Sequence, residues 1–253
     1  MDTRIFLNAL SATSLFCLTL HAQLAPDLIK SGDAFDQKFQ ATEALGFYLP
    51  AEKLEPLNAD ILLRIARQYR HLMTDAPAKE EKVRLGGLAL GYSLRAASIA
   101  PNNSEAQLSV AITYGKMLAF QSSREKVAAS PLIKTAADKA LALDPLNDNA
   151  WHVLGRWHRN IASIGGVKRT FSSVLYGQLP TSTYEAAVTC FEHAIELNPH
   201  RVMHPIELGI TYAQMGKKDD ARRFIEKGLA LPSAEKDDPE AKARGREALT
   251  KLK

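Results

Sequence analysis

Cysteine is scarce in this chain of 253 residues, with Cys17 and Cys190 as the only two. If Cys17 leaves with an amino-terminal leader, no intramolecular disulfide can form, and a cysteine metal cluster is excluded in either case. Alternating apolar and polar runs long enough for a sheet are also missing. There is no Lys/Arg block of the kind that marks a nucleic-acid surface, and the net charge is only +4 from 32 basic and 28 acidic residues. The metalloprotease pattern H-E-x-x-H, a phosphate loop and the G-x-S-x-G elbow are absent, and Gly165-Gly166-Val167-Lys168-Arg169 lacks the Ser or Thr a phosphate loop places after its lysine. His200 and His204 stand four apart but flank the approach to Pro205 with no third ligand nearby. These absences predict no enzyme, no cofactor and no metal. Cys190, between Ala187 and Ala194, is expected to be a buried small residue.

What the chain does hold is helical periodicity from about Pro26 onward, with a repeating unit inside it. Trp151, Leu154 and Gly155 follow Pro145 at the offsets W-x2-L-G, and Ala187, Phe191, Ala194 and Pro199 supply the matching A-x3-F, Ala and Pro. This is the two-helix signature of a tetratricopeptide repeat. Counted from each closing proline, Leu208, Gly209 and Tyr212 reproduce it, as do Ile65, Ala66 and Tyr69, then Val110, Ala111 and Tyr114, while Ala44, Tyr48 and Ala51 precede Pro56 at second-helix offsets. Ser93 and Ala137 replace the usual aromatic, and Pro232 comes one residue early. Small residues allow close helix crossings and large ones fill the gaps, so each hairpin needs neighbours to bury its apolar face. The expected fold is all-α, a tetratricopeptide-like α-solenoid of about five hairpins over residues 23–253, closed by a capping helix after Pro232.

The closing prolines Pro56, Pro101, Pro145, Pro199 and Pro232 are spaced by 45, 44, 54 and 33 residues, against a period of about 34. The surplus falls between the two helices of a unit, around Thr74–Arg84, Ser122–Ser130 and Ile164–Thr183, and is expected as lengthened helices or, over Val167–Tyr176, an inserted one. Pro50 is expected to break or kink its helix. The stretches Asn58 to Asp60, Asn102 to Ser104 and Asn147 to Asn149 follow the closing prolines and can cap the next helix. Residues 1–22 read as a secretory signal: Arg4, an apolar run from Ile5 to Leu20, then Leu20-His21-Ala22 before Gln23. The run is short and polar beside the roughly 20 apolar residues of a spanning helix. It implies an exported, periplasmic or secreted protein; a retained anchor or buried first helix would make it membrane-anchored or cytoplasmic.

Leu154-Gly155-Arg156-Trp157, Tyr176-Gly177, Pro180-Thr181-Ser182-Thr183-Tyr184, the helix Ala186–Leu197 and Leu229-Ala230-Leu231-Pro232 before an acidic-then-basic last helix together resemble the regulator of microtubule dynamics family. The resemblance runs from about Gly32 and is densest from Asn149 to Pro199. It implies a tetratricopeptide-like domain without enzymatic activity and, in animal members, association with microtubules and spindle poles. The export signal departs from that setting.

In each first helix, positions 5, 9 and 12 share a face, the concave face that binds peptides in tetratricopeptide domains. Those positions hold Leu63, Arg67 and Arg70 in the second unit and His152, Arg156 and Arg159 in the fourth, with Asn149 and Asn160 adjoining; the third offers Leu108, Ile112 and Gly115 and the fifth Ile206, Ile210 and Ala213. An alternating basic and apolar groove predicts a protein-protein interaction scaffold binding a peptide or tail with carboxylates, since guanidinium groups suit bidentate pairing. The other pattern the face allows is pairing of these arginines with acids of the chain itself. The alternative class is a membrane-tethered, cytoskeleton-associated regulator.

Overall fold

The computed structural model describes residues 24–164 and 180–252. Eleven α-helices and no strand are found among them: α1 (24–36), α2 (Ala41–Leu54), α3 (Ala59–Asp75), α4 (Lys79–Ile99), α5 (Ser104–Met117), α6 (Ser123–Leu143), α7 (Asp148–Ala162), α8 (Tyr184–Leu197), α9 (Met203–Gln214), α10 (Lys218–Ala230) and α11 (Asp238–Thr250). They pair as five antiparallel hairpins, α1/α2 to α9/α10, with α11 packed on the last pair. The expected solenoid and its closing helix are therefore present. The leader at residues 1–22 and the inserted helix at Val167–Tyr176 lie outside the described residues.

Local chemistry explains the boundaries. Asn58, Asn103 and Asn147 accept backbone N–H groups of the first turns of α3, α5 and α7, at 3.0–3.3 Å. The middle cap, Asn103, lies within the expected stretch from Asn102 to Ser104. Thr183 caps α8, and Ser122 with Glu125 forms a reciprocal capping box on α6. The Trp151 indole donates to the Pro145 carbonyl at 2.9 Å, tying the turn to the helix it precedes. Pro50 leaves α2 unbroken to Leu54. It stands near the carboxyl end on an exposed face, where one lost donor leaves a carbonyl that water can reach.

The extra residues of units two and three become helix length. α4 and α6 have 21 residues against 14, 14 and 13 in α2, α8 and α10, a difference of about 10 Å at 1.5 Å per residue. Packing follows the repeat pattern. A side-chain carbon on Gly155 would stand 2.8 Å from the Phe191 ring, and one on Gly209 would stand 2.8 Å from both the Ala221 carbonyl and the Ile225 nitrogen. These are the close crossings the glycines permit. Tyr48 and Phe191 are fully buried in the cores of the first hairpins and the last ones. No described helix is long and apolar enough to cross a membrane.

Candidate functional site

First helices of successive units also touch each other, α3 to α5, α5 to α7 and α7 to α9. This corrects the expected groove lining. Position 5 is turned inward: Leu108 is fully buried, His152 is 5% exposed and faces His204 of the next first helix, Ile206 is fully buried against Gly228 and Gly245, and Leu63 is partly exposed. Position 9 is open, with Arg67 exposed and Ile112, Arg156 and Ile210 partly so. At position 12, Arg70 and Arg159 are buried while Gly115 and Ala213 are partly exposed. A first helix is flanked by its own partner and by two neighbours, so only a narrow stripe stays open.

The predicted residues fall into two groups. At the amino-terminal end, Arg67 pairs with Asp36 of α1. Arg70 is buried without a carboxylate; one of its nitrogens donates to Ser109 Oγ at 2.9 Å and Thr113 Oγ1 at 3.2 Å. Burial, aided by Arg67, pushes the Arg70 guanidinium down to about 10. At the other end, His152, Arg156 and Arg159 converge on Glu207 of α9, a residue the sequence reading passed over. Glu207 is 1% exposed, pairs with Arg159, and accepts from Arg244 of α11 at 2.8 Å. Burial alone would raise its carboxyl, but Arg159, Arg156 and Arg244 hold it far below the carboxylate range. Arg156 itself makes no hydrogen bond or ion pair among the described residues. Asn149 accepts from Arg201 at 2.7 Å, and Asn160 is exposed.

A buried relay lies beside this cluster. Asp148 accepts from His204 Nε2 at 2.8 Å, which leaves His204 Nδ1 as an acceptor for His152 Nδ1–H at 3.0 Å. The tautomers are assigned from this network. His204 thus turns inward, whereas His200 is exposed. Burial, then His204, lowers the pKa of His152; burial lowers that of His204 against the pull of Asp148; and burial takes His71 down to about 4. A base whose folded pKa is depressed binds fewer protons folded than unfolded below about pH 6.5, so its contribution is complete above that value and lost as pH falls. We expect Tm to fall as pH is lowered from 7.5 to 5.5, through His71, His152 and His204 together. Thermal melts across that interval check it, and a flat Tm would contradict the buried neutral pair.

The acidic start of the last helix also reaches this face. Asp237 accepts from Lys116 of α5 at 2.7 Å, Lys236 pairs with Asp75 of α3 at 2.9 Å, and Glu235 pairs with Arg201 at 3.1 Å. Asp237 makes no capping bond to α11; Asp238 instead accepts the Ala234 and Glu235 amides at 2.8 Å. Residues 235–244 thus make ion pairs with residues of the second, third and fifth units.

A family model described as regulator of microtubule dynamics protein 1-3 matches residues 28–253. The chain belongs to the regulator of microtubule dynamics family. It is 28% identical over 213 residues to regulator of microtubule dynamics protein 1 of Mus musculus, covering 83% of this chain and 70% of that protein. Against protein 2 of Homo sapiens it is 26% identical over 195 residues, 77% of this chain but only about half of that protein, 48%. Among solved structures, a thermophilic TPR protein of Thermus thermophilus superimposes with a TM-score of 0.64 at 16% identity, over 89% of this chain and 99% of that one. At that identity the likeness is one of fold. It places this family member among tetratricopeptide solenoids.

Proposed function

We propose that this protein is a non-enzymatic interaction scaffold whose concave channel takes an extended acidic peptide or tail of a partner protein. The observation that carries the reading is the charge imbalance around Glu207. Three guanidinium groups face two carboxylates: Arg159 and Arg244 pair with Glu207, Arg244 also reaches Glu240 at 2.9 Å, and Arg156 is left partly exposed with no hydrogen bond of its own among the described residues. A ligand carboxylate arriving at Arg156 would supply what the fold withholds. Ile112 and Ile210, at the same helical position in the neighbouring units, offer apolar contact on either side. Arg67, Asn149 and Asn160 would border the channel, with Arg70, His152 and Arg159 buried behind it.

Arg156→Ala is the most direct probe, because Arg156 donates no hydrogen bond among the described residues. We expect it to weaken binding of an acidic partner peptide roughly tenfold, read by fluorescence anisotropy, with the helical circular dichroism spectrum retained. Equal affinity in the variant would defeat the carboxylate site. The leader reading joins this proposal: residues 1–22 would export the scaffold, leaving a chain that begins at Gln23. Family membership favours a second reading, a cytoskeleton-associated regulator tethered through a retained amino terminus. Sequencing the mature amino terminus from the native host distinguishes them.

A further inference from the structure

The last helix is held in two unlike ways. Its body is anchored by apolar packing: Ala241 is 1% exposed, Leu252 is 7% exposed, and Gly245 lies so close to Ile206 that a side-chain carbon there would stand 2.7 Å from it. The stretch leading into it is held on units two and three by polar contacts. Lys116 donates to both Asp237 and Thr74 Oγ1, the latter at 3.1 Å, and Lys236 reaches Asp75. Residues 232–237 are not helical. They present carboxylates at alternate positions, Glu235 to Arg201 of the fifth unit and Asp237 to Lys116 of the third. Most of these side chains keep a fifth or more of their surface exposed, so each pair is weak and screened by salt.

We propose that the stretch Glu235–Asp237 is an internal occupant of the channel, and that the acidic partner binds by taking its place on Lys116 and Arg201. The inference rests on the acidic-peptide reading above and adds the mode of entry. The structure already holds a non-helical acidic segment on these two cations, so the ligand it fits is another such segment with carboxylates two residues apart. The apolar anchor of α11 stays in place during the exchange, and the clasp alone opens. Arg156, partly exposed on α7 and without a hydrogen bond of its own among the described residues, is a further cation for the incoming segment.

The test uses the full chain and a fluorescein-labelled twelve-residue peptide with glutamate at alternate positions. Neutralising the clasp by Glu235→Gln with Asp237→Asn is expected to tighten peptide binding roughly three- to tenfold, as expected when two weak competing pairs are removed. Lys116→Ala is expected to weaken it. Hydrogen exchange over residues 233–240 should accelerate when wild-type protein is saturated with peptide. If the double variant binds no more tightly, or those amides keep their protection, the clasp does not compete. In that case Arg156→Ala still weakens binding, and the acidic-peptide reading stands without the clasp. If neither wild type nor the variant binds the peptide, the underlying reading fails and this inference with it.

Discussion

Glu207→Ala is expected to destabilise the fold by about 3–5 kcal/mol, on the order of 10 °C in Tm for a chain of this size. Glu207 is 1% exposed, and the Arg159 side chain beside it is 9% exposed. Removing the carboxylate leaves a buried guanidinium without a counter-charge, with Arg156 and Arg244 alongside. The penalty comes from that stranded charge, since a buried ion pair adds little net stability over apolar residues of similar size. The double variant Arg159→Met with Glu207→Leu should therefore recover most of the loss. Denaturant titration of the two variants checks both halves. A single variant within 1 kcal/mol of wild type would mean that the cluster is open to water.

Phe191→Ala is expected to cost about 3–5 kcal/mol, the transfer of a buried ring plus the cavity it leaves. Phe191 has no exposed surface, packs on the bare face of Gly155, and meets the His152 ring edge-on at a centroid distance of 5.4 Å. The glycine and the ring form one contact, so Gly155→Ala should hurt less when Phe191 is also shortened to leucine. Additive losses in that double-variant cycle, measured by thermal or chemical melting, would contradict the contact.

The repeat pattern made the hairpins legible because close packing constrains residue size at fixed offsets: Gly155 with Phe191, and Gly209 with Ile225, are pairs whose volumes must match. The groove was legible only in part. Counting positions along one helix places His152 beside Arg156, but the contact of α7 with α9 buries His152 against His204, and no local count contains that neighbour. Glu207 left a signal that could have been used, a charge inside the apolar run Pro205-Ile206-Glu207-Leu208-Gly209. A carboxylate there must meet a cation, and the first helix of the preceding unit supplies Arg156 and Arg159. Lys116 and Asp237 left none, because 121 residues separate them and only the winding of the solenoid joins them.

Photo-crosslinking tests the central claim most directly. An acidic peptide carrying benzophenone at single positions is bound to the full chain, irradiated, and the linked residues are mapped by mass spectrometry. The account predicts linkage to the concave face, at α5 and α7 near Ile112, Lys116 and Arg156, lost with excess unlabelled peptide. Linkage confined to the outer helices α4, α6 and α8, or none at saturating peptide, would contradict it.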